Sequence, residues 1–325
     1  MRIVRYHEHG TPEVLRVDEV DKPEPGPGFV RIRNEAIGVN FAGLQERAGD
    51  FYYGKSVQLP ASPGGDSCGF IDALGPGVEG FAVGDRVASI IFKEAFAEYS
   101  LARVKDLVRV PAEMDAAQAT MLSSPAQVGL EVIQAATLKP GESVLVHAAA
   151  GAIGHLVVQM LKALGAGTVI ATANSAAKLE FAKELGADIA IDYSREGWDD
   201  EVREATGGAG VDIVLDSVGS DITQKSVRLL KPFGRLVFYG SASGGKELPK
   251  VSLQDLAGRY LTHFSMGVMD GQVDDFTPIV DEVCEMVLSG KVKPVVYTEL
   301  PLAEAVKAHQ LMEDRAQLGR VVLIP

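Results

Sequence analysis

Between residues 144 and 239 the sequence alternates regularly between short apolar strands and helices. The predicted strands are 144–147, 168–172, 189–191, 211–215 and 236–239, and the predicted helices are 153–164, 175–185, 198–206 and 222–230. Such βα alternation restricts the fold to an α/β class with a doubly wound parallel sheet, the Rossmann arrangement. Residues 259–264 are the candidate for a sixth strand.

The regions on either side of this segment have a different sequence pattern. The first third is rich in glycine and proline, with short strand-like runs at 30–33, 70–74 and 86–91, which indicates a compact, partly closed β structure. The tail is predicted to contain a helix after residue 276, a helix at 303–313 and a strand at 320–324. We therefore expect two domains, a β-rich catalytic domain of residues 1–122 and 265–325 and a Rossmann domain of residues 123–264.

Composition excludes several classes of partner. The chain of 325 residues has a formal net charge of −13 and no block of Lys and Arg, so nucleic acid and anionic membrane surfaces are not expected partners. Its apolar stretch at 144–173 is broken by His, Lys and Gly, so no membrane span is expected. The only cysteines, Cys68 and Cys284, and an N-terminus without an apolar segment predict a cytoplasmic protein.

The turn after the first Rossmann strand carries a dinucleotide motif. Gly151 and Gly154 match the second and third glycines of G-x-G-x-x-G, and Ala149 takes the first place. Gly151 lets a pyrophosphate approach the backbone, Gly154 allows close helix packing, and the helix N-terminus offers free N–H groups. The alternative is a glycine-rich turn without a ligand, which the complete βα series disfavours.

The choice between the two nicotinamide cofactors is made at the end of the second strand. NAD enzymes usually place an acidic residue there, about 20 residues after the glycines, to hold the ribose 2′-hydroxyl. Here Asn174 and Ser175 end the strand without an acid, and Lys178 follows. Cationic and hydroxyl donors favour a 2′-phosphate, so we predict NADPH. The alternative is that Ser175 only caps a helix and Lys178 is a solvated charge.

Several motifs together carry a family resemblance. They are Ala36-Ile-Gly-Val-Asn40-Phe, Gly75-Pro-Gly-Val, Val83-Gly-Asp-Arg-Val87, His147-Ala-Ala-Ala-Gly151, residues 182–188, Asp216-Ser-Val-Gly219 and residues 319–325. On these motifs the chain resembles the quinone oxidoreductase branch of the medium-chain dehydrogenase/reductase superfamily, which includes ζ-crystallin. The resemblance implies a GroES-like catalytic domain, an active site between the two domains, and a homodimer joined by edge strands near residues 260–264.

The resemblance also implies the cofactor contacts. Residues around the 2′-phosphate would be Ser175, Lys178, Tyr193 and Arg315, with Asn174 beside them. Residues at the pyrophosphate would be Ala150, Gly151, Ala152 and Ile153. Residues on the nicotinamide side would be Val218, Tyr239, Gly240, Ser241, Phe264 and Met266.

Zinc is not expected. Zinc-dependent relatives use an early Cys and the His of a G-H-E motif, but Asn40 stands at the Cys position and Gly64-Gly65-Asp66 replaces G-H-E. His147 and His155 are expected to pack in the Rossmann domain. Without a Lewis acid, simple alcohol oxidation is disfavoured, whereas a quinone or other conjugated carbonyl already delocalises the charge of an incoming hydride.

The proton donor is left open by the sequence. Asn40 is the candidate for orienting the acceptor carbonyl or the nicotinamide ribose, and Tyr52, Tyr53 and Gln127 are further catalytic candidates. Solvent is another proton source. The predicted small-molecule substrate is therefore a quinone or enone. Two alternatives remain, a 2-enoyl thioester or alkenal double-bond reductase, and an NADPH-binding protein with little turnover.

Overall fold

The computed structural model describes residues 1–50, 57–244, 248–266 and 277–325. These form two compact units. The first comprises Met1–Pro125, Asp275–Val280 and Val295–Pro325, and the second comprises Ala126–Asp274 and Asp281–Pro294.

The second unit contains the predicted doubly wound sheet. Its six strands are β8 (Val144–Val146), β9 (Val169–Ala173), β10 (Ile189–Asp192), β11 (Val211–Asp216), β12 (Leu230–Phe238) and β13 (Tyr260–His263). They are parallel and ordered β10-β9-β8-β11-β12-β13, so the strand order reverses between β8 and β11. The helices are α3 (Ser124–Ala135), α4 (Gly154–Ala163), α5 (Ala176–Glu184), α6 (Trp198–Ala205), α7 (Asp221–Leu229), α8 (Leu253–Leu256) and α9 (Thr277–Leu288).

The central strands of this sheet are apolar because both of their faces are covered. Every residue of β8 and β9 is buried. A parallel sheet is normally packed by helices on both sides, which is why its strands appear as continuous apolar runs in the sequence. The predicted sixth strand is confirmed by β13, which pairs in parallel with β12 at the edge of the sheet.

The first unit is built mainly on antiparallel strands, with β14 (Val296–Pro301) and β15 (Arg320–Ile324) paired in parallel. Its elements are β1 (Arg2–Arg5), β2 (Arg16–Glu19), β3 (Phe29–Val39), α1 (Phe41–Ala48), β4 (Gly65–Leu74), β5 (Arg86–Ile91), β6 (Tyr99–Arg103), β7 (Val108–Arg109), α2 (Ala116–Ala119), β14 (Val296–Pro301), α10 (Ala305–Glu313) and β15 (Arg320–Ile324), with 3-10 turns at Pro12–Val14, Val104–Asp106 and Leu302–Glu304. Seven strands form one sheet in the order β14-β15-β3-β4-β5-β7, with β6 also paired to β3. Its core includes Tyr6, Ile32, Ile71 and Phe96.

The predicted domain bounds differ from the observed units after residue 265. Residues 281–294 belong with the Rossmann unit, whereas the sequence analysis assigned the whole of 265–325 to the catalytic domain. The reason is a contact between α4 and this segment. Gln159 of α4 donates to the backbone oxygen of Lys293 at 3.1 Å and accepts from its N–H at 2.8 Å, while Val283 and Val292 are fully buried.

Several observed elements were absent from the sequence prediction, among them α1, α3 and β14. Within the described ranges, no helix combines the length and the apolar character that a membrane crossing requires.

Candidate active site

The glycine motif forms a tight turn between β8 and α4. Ala148 adopts a left-handed φ of 50°, and the N–H of Gly151 donates to its carbonyl oxygen at 3.0 Å. A Cβ added to Gly154 would lie 2.3 Å from that same oxygen, so this position admits only glycine without a backbone shift. Among the described residues, a Cβ on Gly151 would come within 4 Å of the Ala148 oxygen alone, at 3.3 Å. The space beside Gly151 is therefore free for a ligand at a helix N-terminus.

The end of β9 brings two predicted contacts together. Nζ of Lys178 donates to Oδ1 of Asn174 at 3.2 Å, and both side chains are half-buried. Ser175 occupies the N-cap position of α5 with extended backbone, but its hydroxyl makes no capping hydrogen bond. The expected N-cap position of Ser175 is therefore confirmed, with an extended backbone at φ −159° and ψ 154° and without a side-chain capping bond.

Tyr193 follows β10 and lies beside the same strand end. Its N–H donates to the carbonyl oxygen of Ala173 at 3.1 Å, and its half-buried ring stands edge-on to His147 with the ring centroids 6.3 Å apart. Arg315 belongs to the other unit, after α10, with a φ of 52°. Its predicted contact with the 2′-phosphate therefore stays a prediction.

Both histidines of the motif region have structural partners. His147 is fully buried, with Nδ1 2.7 Å from the hydroxyl of Thr172 and Nε2 2.7 Å from that of Ser226. Burial lowers the pKa of His147, so a neutral imidazole connects β8, β9 and α7. His155 contacts the Gly151 carbonyl oxygen through Nδ1 at 2.9 Å.

Asp216, which the sequence analysis did not name as a site residue, organises the loop after β11. This fully buried carboxylate accepts from the N–H groups of Val218 and Gly219 at 2.8 and 3.1 Å, and from the hydroxyl of Thr223 at 2.5 Å. Ser220 next to this turn has a positive φ of 59°. The carboxylate therefore fixes a strained loop at the carboxyl end of a strand beside the switch point. The only sequence signal was its place in the Asp216-Ser-Val-Gly219 motif.

The other predicted nicotinamide-side residues follow the neighbouring strands. The N–H of Tyr239 donates to the Asp216 carbonyl oxygen at 2.8 Å, and a Cβ on Gly240 would come within 3.1 Å of the Ser217 oxygen. Burial raises the pKa of Tyr239, so its phenol stays protonated. Ser241 and Phe264 are buried and Met266 is half-buried. Since β8, β11, β12 and β13 are parallel, these residues lie together at the carboxyl ends of the strands, where Rossmann folds bind dinucleotides.

The first unit holds a separate buried polar cluster around Asn40. Nη2 of Arg320 donates to Oδ1 of Asn40 at 2.9 Å and to Oδ2 of Asp66 at 2.5 Å. Oδ1 of Asp66 accepts from the hydroxyl of Ser123 at 2.8 Å and from the N–H of Ser124 at 3.1 Å. Arg320 is 1% exposed and Asp66 is 0% exposed, whereas Asn40 is half-buried. We refer to Asn40, Asp66 and Arg320 as the Asn40 cluster.

Gln127 has a partner that was not predicted. It lies in α3 of the Rossmann unit, and its Nε2 donates to Oε1 of the buried Glu131 at 3.3 Å. Burial raises the pKa of Glu131 to about 7. Asn40 and Gln127 therefore belong to different units. Tyr52 and Tyr53 lie outside the described residues.

Comparison with known proteins decides the family. Residues 152–284 match the zinc-binding dehydrogenase family, and residues 26–112 match the alcohol dehydrogenase GroES-like domain. A 2-haloacrylate reductase from Burkholderia sp is 36% identical, with 98% of this chain and 97% of the relative covered. The chain belongs to the quinone oxidoreductase branch of the medium-chain dehydrogenase/reductase superfamily.

Solved structures of this branch have the same fold. A mycobacterial protein complexed with NADPH is 35% identical, with a TM-score of 0.93 and full coverage of both chains. The Escherichia coli quinone oxidoreductase complexed with NADPH is 31% identical, with a TM-score of 0.90 and full coverage of both chains. The predicted Rossmann and GroES-like fold class is therefore confirmed.

Two residues of the Asn40 cluster stand at positions that bear on zinc binding. Asn40 is at the position of the early Cys of zinc-dependent relatives, and Asp66 ends the segment that replaces their G-H-E motif. Asn40 and Asp66 are bound there by the guanidinium of Arg320, a cation with fixed donors. Within the described parts of the chain, no group of three or more His, Cys, Asp or Glu side chains is placed to hold a metal ion.

Proposed function

We propose that this chain is an NADPH-dependent oxidoreductase that reduces a quinone or another conjugated carbonyl compound without zinc. One observation carries the cofactor part of the proposal. The strand end that would hold the ribose presents Asn174 and Lys178 in mutual contact and no carboxylate, which suits a 2′-phosphate.

The described residues fit the phosphorylated dinucleotide. The turn Ala150, Gly151, Ala152 and Ile153 would hold the pyrophosphate, since the space beside Gly151 would be filled by a Cβ at that position. Asn174, Ser175, Lys178 and Tyr193 would hold the 2′-phosphate. The loop fixed by Asp216 would support the nicotinamide side. When bound, NADPH supplies the hydride, and the protein supplies position and electrostatics.

The proposed acceptor follows from the Asn40 cluster. A half-buried amide held by a buried guanidinium offers a hydrogen bond to a carbonyl oxygen that gains negative charge during hydride transfer. A quinone or an enone spreads that charge over a conjugated system, so this hydrogen bond suffices in place of a Lewis acid. The quinone oxidoreductase among the solved relatives supports this substrate class.

A second candidate function is reduction of an activated carbon–carbon double bond. The 36% identity to a 2-haloacrylate reductase favours it. Both reactions place the added charge on a conjugated carbonyl oxygen, so the same amide would serve either acceptor.

We also propose a homodimer. β13 is the last strand of the six-stranded sheet, and its Tyr260 and Leu261 are 57% and 39% exposed. An edge strand with exposed apolar side chains offers unpaired backbone groups to the same strand of a second copy. Sedimentation velocity should give twice the mass of one chain, and Leu261→Lys should shift the protein toward monomer.

The substrate proposal is tested by NADPH oxidation with 9,10-phenanthrenequinone, 1,4-benzoquinone, a haloacrylate and a crotonyl thioester. Fastest turnover with the quinones supports the leading function, and fastest turnover with the haloacrylate or thioester supports the second. NADPH binding without turnover of any acceptor would contradict both. Metal analysis of the purified protein should find no stoichiometric zinc, and chelator treatment should leave turnover unchanged.

A further inference from the structure

We propose that Arg320 is a positioning residue that fixes the amide of Asn40 as a hydrogen-bond donor toward the carbonyl oxygen of the acceptor. This inference rests on the proposed reductase function and goes beyond it, because it assigns the orientation of the Asn40 amide and the residue that sets it.

The orientation follows from the chemistry of the two side chains. A guanidinium carries only donors, so the Asn40 atom that faces Nη2 of Arg320 at 2.9 Å must be the carbonyl oxygen Oδ1. The amide nitrogen Nδ2 then points elsewhere, and the described residues include no acceptor for it. Asn40 is half-buried, so its two N–H donors are the hydrogen-bonding groups left for a ligand.

The surroundings hold the guanidinium in this place. Asp66 neutralises it, and the far oxygen of Asp66 is bound by the hydroxyl of Ser123 and the N–H of Ser124. Gly38 on β3 makes room, since a Cβ there would lie 2.1 Å from Nε and 2.2 Å from Nη2 of Arg320. Local strand geometry does not need this glycine, because it is not among the residues with positive φ. The absence of a side chain at Gly38 instead leaves space for the guanidinium of Arg320.

Stability alone does not account for the arrangement. Arg320 is 1% exposed, yet its Nε has no hydrogen-bond partner within the described chain. A buried ion pair is also weak support for a fold, since apolar residues of similar volume often serve as well. The guanidinium is therefore better explained by the amide that it orients.

The arrangement has a consequence for the substrate. An Asn40 amide whose N–H groups face the ligand binds an oxygen that accepts hydrogen bonds. The buried guanidinium of Arg320, bound to the amide oxygen, polarises these N–H groups further. The site therefore selects acceptors whose carbonyl oxygen becomes more negative during reduction.

The decisive variant is Asn40→Asp. It keeps the shape and the oxygen that accepts from Arg320 but removes the amide donor. We expect normal folding, unchanged NADPH affinity and a kcat for the quinone lower by about 100-fold, the size of losing one donor to a developing oxyanion.

Gly38→Ala tests the positioning step without removing a functional group. Its Cβ must displace the guanidinium, so we expect a kcat lower by about tenfold with little change in KM for NADPH. Gly26→Ala is the matched control, because an added Cβ there meets no described residue within 4 Å. It should keep wild-type kinetics.

Arg320→Lys and Arg320→Ala remove the fixed donor, and Arg31→Met is the control for loss of an ion pair. Arg31 lies on β3, the strand that pairs with β15 of Arg320, and it forms ion pairs with Asp72 and Glu24. We expect a lower kcat in both Arg320 variants and no change in Arg31→Met. Added guanidinium should restore part of the kcat of Arg320→Ala but none of that of Asn40→Asp. Gly38→Ala should add no further loss in the Arg320→Ala background.

A readout independent of turnover completes the test. The side-chain amide resonance of Asn40, assigned by its loss in Asn40→Asp, should shift in Gly38→Ala and in Arg320→Lys while thermal melting shows folded protein. Wild-type kcat in folded Gly38→Ala and Arg320→Lys would overturn the inference and leave the proposed function standing. A wild-type protein that reduces none of the acceptors would overturn both.

Discussion

Nζ of Lys178 lies 3.2 Å from Oδ1 of Asn174, at the carboxyl end of β9. This contact holds a cation where NAD-binding enzymes of this fold place a carboxylate. We propose that this half-buried ammonium contacts the 2′-phosphate, since a cation stabilises a phosphate through charge-assisted hydrogen bonds.

Replacing this cation should weaken NADPH selectively. Lys178→Ala removes a charge-assisted contact, so KM for NADPH should rise by about tenfold while KM for NADH changes little. Steady-state kinetics with both cofactors measures the difference. Lys162→Ala is the control, because Lys162 forms a surface ion pair with Asp188. Equal effects of Lys178→Ala on both cofactors would reject its contact with the 2′-phosphate.

Alanine substitutions at the two glycines of the phosphate turn should affect different properties, stability at Gly154 and NADPH affinity at Gly151. Gly154→Ala places a Cβ 2.3 Å from a backbone oxygen and should lower the free energy of unfolding by about 2 kcal/mol or more. Gly151→Ala meets that oxygen only at 3.3 Å, so the fold should tolerate it. NADPH affinity should nevertheless fall, since the methyl group occupies the space for the pyrophosphate. Urea unfolding and fluorescence titration separate the two effects, and a fully stable Gly154→Ala protein would contradict this account.

Removing the carboxylate behind the nicotinamide-side loop should destabilise the Rossmann unit. Asp216→Ala leaves two buried N–H groups and a hydroxyl without their acceptor, at a cost of about 3 kcal/mol. Asp192→Ala is the control, since its carboxylate accepts from the exposed Ser194 after β10. It should change the unfolding free energy by under about 0.5 kcal/mol. Similar losses in both variants would show that Asp216 is an ordinary loop residue.

The buried Glu131 should make stability depend on pH. Its pKa is raised from 4.5 to about 7, so the folded protein keeps a proton that the unfolded chain releases. Stability should therefore fall as pH rises from 4.5 to 7 and stay level above 7, with this group contributing at most about 3 kcal/mol.

Glu131→Gln tests this pH dependence. The neutral amide should stabilise the protein at pH 8 and bring no gain near pH 4.5, as measured by urea unfolding across the range. Glu180→Gln is the control, because Glu180 is exposed on α5 and should show little effect. A Glu131→Gln gain that is the same at every pH would contradict the raised pKa.

Local signals sufficed for the Rossmann sheet. Its central strands are buried and helices α4 to α7 alternate with the strands, so these elements were visible as apolar runs or helical periods. β14 was missed because it is an edge strand in which only Leu300 is buried. The helix α1 was missed because its short sequence mixes apolar and polar residues and contains Gly43. The assignment of residues 281–294 to the Rossmann unit depends on the contact of Lys293 with Gln159. These residues are 134 positions apart, so no local sequence pattern predicts their contact.

The same distinction holds for the candidate site. The contact between Asn174 and Lys178 is local, so the missing carboxylate at β9 could be interpreted from the sequence. Asp66 and Arg320 are 254 positions apart, and their pairing with Asn40 appears only when β15 packs beside β3. Glu131 was not named from the sequence, since burial of a single carboxylate leaves no sequence signal.

The central claim is tested most directly by comparing kcat/KM for NADPH and NADH with one quinone at saturating concentration. A charge-assisted contact with the 2′-phosphate should make the value for NADPH at least about tenfold higher. Equal values, or a higher value for NADH, would contradict it.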